Sequence, residues 1–114
     1  MSSRVWIERV QDILDAIFEI QAFTNGLEFN TFQADVRTLR AVELDFIIIG
    51  EAANQVPDDI QELYPEVPWH LMKTMRNRLV HVYFSVDPVL VWDTVQNDLP
   101  NLVVTLQAII NEKN

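Results

Sequence analysis

Apolar residues recur at steps of three and four along most of the chain, and this spacing limits the available folds more than any other feature. Trp6, Val10, Ile13, Ile17 and Ile20 follow one another at that interval, with Ile7, Leu14 and Phe18 widening the stripe. Near the other end Trp92, Val95, Leu99, Leu102, Leu106 and Ile109 repeat the pattern for about five turns. A helix gathers such positions on one face, whereas a strand gathers every second residue. There are only two glycines, Gly26 and Gly50, in 114 residues. Sheets, barrels and phosphate-cradling loops generally use more glycine in their turns, so the expected class is all-α.

The punctuation divides this pattern into elements. Ser2 or Ser3 caps a first helix from Ser3, and Asn25-Gly26 stops it. A short helix or turn follows within 27–35, around a cap at Asn30 or Thr31. A third helix is expected from Val36 to Gln55. Val42, Leu44, Phe46, Ile47, Ile48 and Ile49 leave it almost no polar face around its middle, as for a helix in the centre of a bundle. Pro57-Asp58-Asp59 opens a short fourth segment that Tyr64-Pro65 closes. Pro68 stands at the first position of a fifth helix, from about Val67 to Val82, with Leu71, Met75, Leu79 and Val82 as its core stripe. Asp87 caps the last helix with Pro88 in its first turn, and Pro100 kinks it near Gln96.

At 13.3 kDa the chain is expected to be one domain spanning 1–114, too small for a multidomain enzyme. Hydrophobic residues at 49% and charged residues at 22% are globular proportions and argue against disorder. The longest apolar run, Phe46-Ile47-Ile48-Ile49, is far short of a membrane span. Charges interrupt the N-terminus where a signal peptide would be apolar, so a cytoplasmic location is expected. The absence of cysteine removes disulfides and thiolate chemistry and fits a reducing compartment.

The net charge is −9, from eight basic and seventeen acidic residues, which at first argues against a polyanionic partner. The distribution alters that conclusion. The twenty residues between Glu66 and Asp87 contain no acid, yet hold Lys73, Arg76, Arg78 and both histidines, His70 and His81. This stretch carries +3 and the rest of the chain −12. On a helix, His70, Thr74, Asn77 and His81 share one polar stripe, with Lys73 and Arg78 on its shoulders. Arg76 is five residues before His81, about 140° around the helix and roughly 7.5 Å along it. Convergence of the two on one phosphate requires either that the helix end near His81 or that a second copy complete the site.

Other chemistries find no support. His70 and His81 are eleven residues apart, roughly 16 Å along a helix, too far to share a metal. Ser85 near His81 has neither a third triad member nor a glycine elbow. No glycine-rich nucleotide fingerprint is present, and neither a metal nor a cofactor is expected.

The string Met75-Arg76-Asn77-Arg78-Leu79-Val80-His81-Val82-Tyr83-Phe84 resembles the signature of HEPN-domain ribonucleases, and its Arg-x4-His-x-Tyr form resembles the HepT branch. Ile49-Gly50-Glu51-Ala52-Ala53, Pro65-Glu66-Val67-Pro68-Trp69, Val91-Trp92-Asp93-Thr94-Val95 and Asn97-Asp98-Leu99-Pro100 resemble HepT segments in the same order. Val82 departs from the pattern, standing where relatives commonly have glycine.

The resemblance implies an antiparallel bundle of four to six helices that dimerises around a shared cleft. It further implies a toxin of a type VII toxin-antitoxin system, a metal-independent endoribonuclease acting on RNA. Arg76 and His81 would be catalytic, with Asn77 orienting and Lys73 and Arg78 holding the RNA backbone. Tyr83 would be the residue to which an MntA-like minimal nucleotidyltransferase antitoxin adds AMP. Those roles suit the residue types: histidine titrates near neutrality, and a guanidinium stays charged and grips phosphate in a planar fork. The alternative, from a different class, is a non-catalytic HEPN subunit that scaffolds or regulates a nucleotidyltransferase.

Overall fold

A computed structural model describes residues 3–82 and 86–113. Among these, every regular element is helical: α1 (Ser3–Thr24), α2 (Phe29–Ala34), α3 (Val36–Asn54), α4 (Asp58–Leu63), α5 (Trp69–His81), α6 (Pro88–Asp93) and α7 (Leu99–Lys113), with a π-helical segment, Thr94–Asp98, joining the last two. Since α6, the π segment and α7 run on without a break, the described residues form six helices. The all-α expectation holds.

Local chemistry sets most boundaries. Gly26 takes φ 78°, the left-handed conformation that ends α1 and that a side chain would resist. Asp35 caps α3, its carboxylate accepting from the Thr38 amide at 3.2 Å. Asp87 caps α6 in the same way, accepting from Val89 N at 2.9 Å, with Pro88 in the first turn as expected. Two expected caps differ. Glu28, not Asn30 or Thr31, precedes α2 without a side-chain bond, and Pro68 stands just before α5. The interruption expected near Gln96 takes the form of the π-helical segment, which ends two residues before Pro100, a residue that cannot donate to the ladder.

α3 packs chiefly against α1 on one side and α5 on the other, and α7 lies along α1. The least extent of the molecule is 19 Å, two helix diameters, so α3 is central without being enclosed. Leu44 and Ile48 are accordingly exposed on a helix whose composition suggested burial all round. Val10, Ile13, Ile17, Ile20, Val42, Val91 and Leu106 make the inner layer of one continuous core. Phe32 fills the gap beside the C-terminal helices, its ring 5.0 Å from that of Trp92.

Gln61 fixes the start of α5. Its amide nitrogen donates to the Ala53 carbonyl at 3.1 Å and the Val56 carbonyl at 2.9 Å, at the end of α3 where carbonyls lack helical partners. Its amide oxygen accepts from Lys73 Nζ at 3.1 Å. Buried Trp69 donates from Nε1 to the Tyr64 carbonyl at 3.0 Å. α5 is therefore tied through α4 to α3 before its own side chains make contact.

Candidate active site

On α5 the buried residues are Trp69, Met72 and Leu79. Leu71 and Val82, expected on the core stripe, are 67% and 51% exposed. The inward face is rotated toward the line 69, 72, 76, 79, and this line includes Arg76. The residue is drawn inward by α3. Gly50 faces it, and a Cβ at that position would overlap the Arg76 stem and lie 2.8 Å from the Met72 carbonyl. The adjacent Glu51 forms an ion pair with Arg76 through Oε1 and Nε. Both atoms are closed to solvent and neither makes an aligned hydrogen bond, so charge holds the pair. The Arg76 side chain remains 26% exposed, and its Nη1 donates to Asn77 Oδ1 at 3.0 Å.

His70, Thr74, Asn77 and His81 are all exposed, as the common polar stripe requires. His70 Nε2 and Thr74 Oγ1 are 3.5 Å apart. α5 ends at His81, the nearer of the two arrangements left open by the sequence. Val82 takes φ −134° and ψ 37° as the C-cap, a conformation that demands no glycine. The acid-free surface thus divides three ways: Arg76 toward α3, His81 at the helix end, and Lys73 toward α4 through Gln61. Arg78 stands apart, on the rim of a 510 Å³ groove floored by Phe46, Met72 and Leu102 between α5 and α7. Tyr83 lies outside the described residues.

Sequence reasoning missed Glu51 and the inward turn of Arg76. The available signal was the Gly50-Glu51 pair directly after the apolar run Phe46-Ile47-Ile48-Ile49. It also missed the carboxyl pair of Asp45 and Glu19 in a second groove of 390 Å³ between α1 and α3. Burial, reinforced by the Glu19 carboxyl alongside, pushes the Asp45 carboxyl up to about 7. Among the described residues no three His, Asp or Glu side chains converge to hold a metal ion. None of the described helices is long and apolar enough to cross a membrane.

The profile described as "Ribonuclease HepT-like" matches residues 13–109. The chain belongs to the HepT-like ribonucleases of the HEPN class. The endoribonuclease class expected from the motif is that of this family. Among similar proteins, "Probable ribonuclease HepT" of Thermococcus cleftensis is 43% identical over 93 residues, covering 82% of this chain and 84% of that one. Two proteins of Methanocaldococcus jannaschii, "Putative RNase MJ0127" and "Putative RNase MJ1216", are 38% and 35% identical over 101 residues, each match covering 89% of this chain and 84% of the relative. No solved structure matches the chain.

Proposed function

We propose that this HepT-like chain is the toxin of a type VII toxin-antitoxin pair, cleaving RNA without a metal at a site built from Arg76 and His81. The observation that carries the reading is the presentation of Arg76. A cation on the acid-free helix is gripped at Nε and Nη1 and keeps its remaining donors for an anion. In the proposed reaction an RNA 2′-hydroxyl loses its proton and attacks the adjacent phosphorus. The 5′-oxygen leaves with a proton, and a 2′,3′-cyclic phosphate remains. His81, exposed at the helix end, is the group that moves a proton, while Arg76 stabilises the charge gathering on the phosphorane oxygens. Arg78 and Lys73 hold neighbouring phosphates, and Asn77 orients the site through its bond to Arg76.

A homodimer completes the arrangement. Arg76 and His81 leave one helix about 140° apart, so a second copy can bring one chain's histidine to the other's arginine. Exposed Leu71, Val80, Val82, Val89 and Leu90 on α5, its C-cap and α6 supply apolar surface for that contact. Tyr83, two residues beyond His81, is the proposed site of neutralisation by an MntA-like nucleotidyltransferase. Its phenolic oxygen bonds to the α-phosphorus of ATP, pyrophosphate leaves, and the phenolic proton is released. AMP there excludes RNA phosphate by charge and by volume. The proposed setting of both reactions is the cytoplasm.

RNA cleavage by purified protein in the presence of a chelator tests the reading. His81→Ala and Arg76→Ala are each expected to lose on the order of 100-fold or more in rate. Wild-type rates in either variant would refute the assignment. Intact mass after mixing with the partner and ATP is expected to show AMP adducts that Tyr83→Phe abolishes.

A further inference from the structure

Glu51 directly follows Gly50 on α3, so the residue that clears space for the Arg76 stem and the residue that meets its Nε are consecutive. A guanidinium presents five N–H donors in one plane. Glu51 engages that plane at Nε, and Asn77 accepts from Nη1. Contacts at two separate nitrogens fix both the position and the tilt of the plane and, among the described residues, leave three donors uncommitted. A long side chain on a helix surface otherwise samples many rotamers, and ordering it on a phosphate costs conformational entropy at the moment of binding. Here the ordering precedes RNA.

We infer that Glu51 is the positioning residue for Arg76, presetting the guanidinium against the glycine seat so that its free edge meets the reacting phosphate. This inference rests on the reading of Arg76 as the phosphate-stabilising cation. Glu51 does not touch RNA and acts only through Arg76. Its carboxylate offsets part of the Arg76 charge, which weakens the grip on a ground-state phosphate. What Glu51 contributes is orientation, and alignment of the guanidinium counts most where charge gathers on the phosphorane oxygens. Loss of Glu51 therefore falls on kcat and spares KM, the pattern of an interaction made in the transition state.

The experiment compares wild type with Glu51→Gln, Glu51→Asp and Arg76→Ala, using RNA cleavage kinetics and the ¹H–¹⁵N resonance of the Arg76 Nε–H group, assigned by its loss in Arg76→Ala. Glu51→Gln keeps the shape and removes the charge. It is expected to lower kcat on the order of 10- to 100-fold, with KM within about threefold, while Glu51→Asp, which keeps the charge, falls between it and wild type. Added to Arg76→Ala, the Glu51→Gln change has no further effect. The Nε–H resonance is protected from solvent exchange in wild type and loses that protection in Glu51→Gln. A wild-type kcat in Glu51→Gln, a loss that adds fully to that of Arg76→Ala, or an unchanged resonance would overturn the inference. Equal cleavage by wild type and Arg76→Ala would instead refute the catalytic reading of Arg76, and the resonance would still decide whether Glu51 orients it.

Discussion

Asp45 sits on α3 only 2% exposed, with Oδ2 closed to solvent and the Glu19 carboxyl alongside. Its carboxyl titrates near 7 in the folded chain against an ordinary value of 3.8, so between these values the native state holds a proton that the unfolded chain has lost. Stability from this group is therefore complete below about pH 4 and declines as pH rises through about 7. Asn is the neutral isostere of the protonated acid. Asp45→Asn should match wild type near pH 4 and exceed it at pH 8, by several degrees of melting temperature at roughly 4 °C per kcal/mol. Melting curves across that range provide the check, and parallel profiles would contradict it. The sequence disguised this group as a single acid in an apolar run, just as it disguised Arg76 as a surface cation. Both errors share a physical reason. Periodicity assigns charges to the outer face, and only the neighbouring helix reveals what an inward charge meets.

At the level of elements, local signals were sufficient almost everywhere. Proline, asparagine-glycine and aspartate caps act through the backbone within a few residues, so the extents of α1, α3, α4 and α5 could be read to within one or two positions. The rotation of α5 about its axis could not. Its inward line depends on Gly50, twenty-six residues away, and the competing stripe through Leu71 and Val82 is equally apolar. Gly50→Ala tests which term governs that contact. Alanine gains about 1 kcal/mol of helix propensity, whereas overpacking a close approach costs about 1–3 kcal/mol. The Met72 carbonyl is backbone and cannot rotate away, so the clash should prevail. Melting temperature is expected to fall by roughly 4–8 °C, and a rise would show that α5 can shift without penalty.

For the whole molecule, the uneven charge remains the main guide to what it binds. A scaffold of −12 limits indiscriminate RNA affinity, and pairing two copies would double the +3 of one helix at a single cleft. If each cleft takes Arg76 from one chain and His81 from the other, inactive Arg76→Ala and inactive His81→Ala proteins should complement when unfolded and refolded together. Random pairing would return roughly a quarter of wild-type cleavage, because half the dimers carry one intact site. A mixture as inactive as its parts would count against a composite site. The family and its motif were legible in the sequence because they lie in contiguous strings. The direction of each side chain emerged only from the packing of α3 on α5.

The π-helical segment has a consequence for how the chain's length can vary. A π turn is an α-helix that has accepted one extra residue, and here it absorbs the surplus in the steps Val91, Val95, Leu99, all of them buried. Removing a residue from an ordinary helix turns everything beyond it by about 100°. Within Thr94–Asp98 the same deletion would restore α-helical register and leave Leu102, Leu106 and Ile109 facing α1. Deletion of a single codon is thus tolerable here, in the middle of a core helix where it would ordinarily be lethal to the fold.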